Sequence, residues 1–76
     1  MRILIVEDEK NLCDMIGKSL HSAGYEVDLC YDGEDALEMI YAEKYDLIVL
    51  DLNLPGVDGM EILRELRKEN EETKVL

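Results

Sequence analysis

The chain has 76 residues, 47% of them hydrophobic, with 19 acidic against 8 basic side chains and a formal net charge of −11. That length holds one domain at most, and a domain of this size buries only about 60–65% of the surface its unfolded chain exposes. The acidity counts against a protein that tracks nucleic-acid phosphates or anionic lipid, and the apolar half excludes a disordered acidic tail.

Arg2 to Val6 places apolar side chains at successive positions, which predicts a strand buried on both faces. From about Glu9 to Ala23, Leu12, Cys13, Ile16 and Leu20 recur at helical spacing. Asp8 stands where an N-cap belongs and Gly24 where a left-handed residue closes the helix. Tyr25 to Cys30 alternates apolar and polar residues like a half-exposed edge strand. Asp32 caps a second helix, roughly Glu34 to Ala42, with Ala36, Leu37, Ile40 and Tyr41 facing inward. Leu47-Ile48-Val49-Leu50 is the second wholly apolar run, and Asp51 closes it. Turn signals fill Leu52 to Gly59. Asp58 and Glu61 then have capping-box spacing for a third helix with Met60, Ile62, Leu63 and Leu66 inward. Thr73 to Leu76 reads as the opening of a further strand.

A β-α-β-α-β-α order with buried first and third strands implies parallel pairing and right-handed crossovers, with ligands collecting beyond the C-terminal strand ends. Those ends carry Glu7-Asp8 and Asp51. If strands one and three are neighbours, about 4.8 Å apart, three carboxylates converge and must either take up a proton or bind a cation. Mg²⁺ fits such an oxygen-rich, partly hydrated site. Asn53 is placed to add a backbone carbonyl, and a carboxylate oxygen is left to act as a nucleophile toward a phosphoryl group. An EF-hand reading of the segment from Asp51 fails, because Pro55 holds its fifth position and Ile62 its twelfth. A phosphatase with an aspartate nucleophile needs a second acid two residues on, where Asn53 cannot exchange a proton. Gly17-Lys18-Ser19 falls within a helix, and Leu12 replaces the earlier glycine of a P-loop.

Three segments carry a family likeness: Arg2 to Glu9, Tyr31 to Leu37, and Asp46 to Gly59 with Asp51-Leu52-Asn53-Leu54-Pro55-Gly56 at its centre. Together they resemble a response-regulator receiver domain, most of all the receivers that precede winged-helix DNA-binding domains. The resemblance implies half of a flavodoxin-like doubly wound sheet, strand order 2-1-3, with residues 1–76 as the N-terminal part of a receiver whose C-terminal strands and helices are missing. It implies a phosphoacceptor that is not a turnover enzyme: Asp51 takes phosphate from a histidine kinase, and Glu7, Asp8, Asp51 and Asn53 hold Mg²⁺. The family's later Ser/Thr and Lys have no counterpart here. A half-domain that self-associates and binds metal without signalling is therefore the alternative.

Such a truncation is expected to expose strand three and the apolar faces of helices one and three. It favours a homodimer paired through the strand-three edge or the Thr73–Leu76 stub. No direct nucleic-acid or membrane binding is expected, since no run approaches the roughly 20 apolar residues that span a bilayer. Cys13 and Cys30 lie in neither a disulfide framework nor a zinc spacing. Reduced, buried thiols and a cytoplasmic location follow.

Overall fold

Five residues, Arg2–Val6, form the strand β1, and every one after Arg2 is buried. In chain order there follow α1 (Lys10–Ser22), β2 (Glu26–Cys30), α2 (Gly33–Ala42), β3 (Leu47–Leu50), α3 (Gly59–Glu69) and β4 (Lys74–Val75). The computed structural model describes residues 1–52, 54, 56–69 and 73–76. The strands make one parallel sheet in the order β2-β1-β3-β4, the α/β architecture expected, extended by the short fourth strand.

Alternation along the strands divides the core between two faces. Leu4, Val6, Ile48 and Leu50 point to one side and pack with Ala36 and Ile40 of α2 and Ile62 and Leu66 of α3. Ile3 and Ile5 point to the other side, where Cys13, Ile16 and Leu20 of α1 cover them and Leu47 and Val49 are half-buried. Gly24 ends α1 at φ +99°, as its position predicted. The Tyr25 and Gly24 N–H groups return to the Leu20 and His21 carbonyls, which satisfies carbonyls a helix end leaves open. Both cysteines are free thiols in the core.

Three helix-face expectations were off by a step. Leu12, Tyr41 and Met60 are exposed, whereas Tyr45 is 3% exposed and belongs to the core. The apolar faces of α1 and α3 are not bared, because Cys13 is fully buried on the sheet and Ile62 and Leu66 fill the opposite core.

The exposed edge expected on β3 is also covered. The stub pairs within its own chain: Leu47 and Ile48 lie beside Lys74 and Val75, and the Leu76 N–H donates to the Ile48 carbonyl at 2.9 Å. Thr73 anchors this strand, its hydroxyl donating to the Tyr45 carbonyl at 2.8 Å, while Arg67 donates to the Thr73 carbonyl at 2.7 Å.

A polar staple closes the end of the sheet where the strands begin. Arg2 donates to Asp28 at 3.0 Å and Glu43 at 3.1 Å, and the Tyr45 hydroxyl donates to the same Asp28 oxygen at 2.6 Å. Burial, then the Asp28 carboxylate, pushes the Tyr45 phenol up. A phenol held up in the folded state contributes stability fully below about pH 10 and loses it as pH rises from there toward the folded value. Tyr45→Phe is therefore expected to cost about 1 kcal/mol at neutral pH. The gap between variant and parent should narrow above pH 10, as read by urea melts across that range.

Candidate metal and phosphoacceptor site

The register of the sheet builds the candidate site. Val6 lies opposite Leu50, and the Asp51 N–H donates to the Val6 carbonyl at 3.0 Å, so the residues that follow both strands leave the sheet side by side. On the other flank the Glu7 N–H donates to the Cys30 carbonyl at 3.0 Å. Glu7 continues β1 and Asp51 continues β3. The pairing that fills the core beneath them also fixes the spacing above it.

Carboxylate oxygens of Glu7, Asp8 and Asp51, one from each residue, lie within 4.8 Å of one another. Glu7 and Asp51 are half-buried and Asp8 is exposed. Burial raises the Glu7 carboxyl above its ordinary range. The Asp51 and Asp8 charges add to that rise, and the hydrogen bond from the Glu9 N–H at 3.2 Å opposes it. Asp8 does not cap α1 as expected. Glu9 does, its two carboxylate oxygens accepting from the Asn11 N–H at 3.1 Å and the Leu12 N–H at 2.8 Å. Capping by the longer acid leaves the Asp8 carboxylate at the rim. Asn53 and Pro55 lie outside the described residues.

An octahedral Mg²⁺ with ligands at about 2.1 Å needs oxygens about 3 Å apart for neighbours and about 4.2 Å across. Three carboxylates in this spread match that shell once small side-chain adjustments or a bridging water are allowed, and their charges supply the hard anionic donors the ion prefers. The rim is open to solvent at Asp8.

Among known sequence families, the pattern described as the response regulator receiver domain matches residues 3–76. The chain belongs to this family. Solved receiver structures agree with it in fold. TrrA from Thermotoga maritima, determined in complex with Mg²⁺-BeF, is 39% identical over 97% of this chain with a TM-score of 0.90. The same regulator has been determined in complex with the histidine kinase ThkA, with a TM-score of 0.87. A CheY-like receiver protein from Methanospirillum hungatei is 32% identical over 97% of the chain, with a TM-score of 0.94. The chain spans 64% of the length of TrrA and 59% of the Methanospirillum protein. Among the described residues of the receiver domain, no helix is long and apolar enough to cross a membrane.

Proposed function

We propose that this receiver domain is the phosphoacceptor of a two-component signalling pathway, with Asp51 as the residue that accepts phosphate from a histidine kinase. The observation that carries this reading is the convergence of Glu7, Asp8 and Asp51 at the carboxyl ends of two adjacent strands. The kinase complex of the 39% identical TrrA supports a kinase as partner, and the Mg²⁺-BeF complex of the same protein supports Mg²⁺.

In the proposed transfer a carboxylate oxygen of Asp51 attacks phosphorus in line, and the bond from phosphorus to the kinase's histidine nitrogen breaks. The electron pair stays on that nitrogen, which a proton then neutralises, and an acyl phosphate forms on Asp51. Glu7, Asp8, Asp51 and the Asn53 carbonyl would hold Mg²⁺, which when bound neutralises charge on the phosphoryl oxygens. The chain supplies acceptor and ion site and is a signalling module with no turnover of its own. The likeness of its motifs to receivers joined to winged-helix domains favours a regulator of transcription. Self-association through the sheet, the other reading of the chain, loses the β3 edge, which β4 covers, and keeps the outer edges of β2 and β4.

Incubating the chain with a small acyl phosphate, with and without Mg²⁺, and locating the added mass by peptide sequencing tests the reading. Label on Asp51 that depends on Mg²⁺ supports it. Label elsewhere, or independent of the ion, removes it.

Ion binding has a separate signature in stability. Three converging carboxylates repel one another, so Asp8→Asn is expected to raise the melting temperature by a few degrees in metal-free buffer. The parent gains about 1.4 kcal/mol at free Mg²⁺ ten times its dissociation constant, and the variant loses most of that response. Thermal melts with and without Mg²⁺ read both signs.

A further inference from the structure

A cavity of about 460 Å³ opens at the end of the sheet where the strands begin, beside the Arg2–Asp28–Tyr45 staple. Three stretches of chain wall it: Met1 ahead of β1, Lys44 to Leu47 leading into β3, and Thr73 with Lys74 at the start of β4. About 13 Å of β3 separates Leu47 from Asp51, and the cavity shares no residue with the three carboxylates of the rim. Its volume falls within the range of about 300–1,000 Å³ that encloses small-molecule ligands.

Hydrogen bonds hold the walls from behind. Tyr45 and Thr73 are each 3% exposed, and the Thr73 hydroxyl donates to the Tyr45 carbonyl at 2.8 Å. The Lys74 N–H donates to the Asp46 carbonyl at 3.1 Å, and the Asp46 N–H to the Arg2 carbonyl at 2.9 Å. Asp46 is the acid of the wall, and its carboxylate already accepts from the Arg2 N–H at 2.7 Å. Met1, Tyr45 and Leu47 supply apolar surface. Lys44 and Lys74 reach the cavity from two different stretches. Both are exposed, and neither pairs with a carboxylate among the described residues.

In a chain with 19 acidic and 8 basic side chains, two such cations over one apolar recess reverse the local sign of charge. From this arrangement we propose that the cavity binds a small organic carboxylate with an apolar body, Lys44 and Lys74 meeting the head and Tyr45 and Leu47 the body. Lysine stems lie along apolar surface while their heads stay in water, so the anion is met at the mouth and its ring or alkyl part enters. Each ammonium is a compact point charge with rotatable donors, which suits a carboxylate arriving at any angle. Exposed ion pairs contribute little by themselves, so head and body must act together.

The test is an amide NMR titration of the chain with 2-naphthoate, with its uncharged counterpart 2-naphthamide, and with inorganic phosphate. It is made without Mg²⁺, so its outcome is independent of the phosphoacceptor reading. Naphthoate is expected to move the amides of Lys44 to Leu47 and of Thr73 and Lys74. Naphthamide should bind at least tenfold more weakly, and phosphate should leave these amides in place. Lys44→Gln and Lys74→Gln should each weaken naphthoate at least threefold. Lys68→Gln makes the same change of charge on α3, where the side chain faces Glu65, and should leave the affinity as it was. If Lys74→Gln does not fold by circular dichroism, Lys44→Gln decides the matter. Equal affinity for naphthamide, shifts centred on other residues, or equal losses in Lys68→Gln overturn the proposal. So does phosphate binding there as tightly as naphthoate, or the absence of any shift at about 10 mM naphthoate, ten times a weak dissociation constant of about 1 mM.

Discussion

Asp51→Asn is expected to take up no covalent phosphoryl group from acyl phosphate and Mg²⁺, a loss of at least a hundredfold against the parent chain. The amide keeps the shape of the side chain but lacks the anionic oxygen that attacks phosphorus. The fold should persist, because the contact tying Asp51 to β1 is made by its backbone N–H to the Val6 carbonyl and survives the substitution. Label on the parent should be released by hydroxylamine, as an acyl phosphate is and a phosphoserine is not. Glu7→Gln supplies the contrast: it retains the acceptor and should reduce labelling only through weaker ion binding. Intact-mass measurement after matched incubations checks all three chains, and equal labelling of Asp51→Asn and the parent would end the phosphoacceptor reading.

Ile48→Ala should be among the most damaging of the simple truncations. Ile48 is completely buried between the sheet and the α2–α3 layer, and removing its side chain leaves a cavity lined by residues that two helices and three strands hold in place. Such changes cost about 2–5 kcal/mol. A chain of this size has a total stability on the order of 4–11 kcal/mol, so the variant sits near its folding limit at room temperature. Val49→Ala, one residue along the same strand, faces the half-buried side and should cost about 1 kcal/mol. Urea denaturation of the pair tests the division between a filled and a half-covered face; equal losses would contradict it.

How much of this was legible in the sequence depended on the period of the signal. The apolar runs Ile3–Val6 and Leu47–Leu50 are too short for helices, and the strands found, Arg2–Val6 and Leu47–Leu50, contain them. Two buried parallel strands then required Glu7 and Asp51 to leave the sheet together, and the register shows that they do. Helix faces were read less well, since a shift of one residue turns a side chain by 100°. Helical spacing points Tyr41 into the core that Tyr45 in fact fills. Asp8 has the chemistry of an N-cap, but Glu9, a poorer capping type, reaches Asn11 and Leu12 because the chain takes one more extended residue before turning. The Arg2–Asp28–Tyr45 staple joins residues 17 and 26 positions apart and left no local trace.

The order β2-β1-β3-β4 has a consequence for how the chain is made. Of these four strands the earliest in the chain, β1, lies inside the sheet, and its two neighbours follow some 20 and 40 residues later. Until both arrive, Ile3, Leu4, Ile5 and Val6 form a sticky, unpaired ribbon, so a nascent polypeptide of this design depends on fast closure of its crossovers or on a chaperone to hold that ribbon apart from others like it.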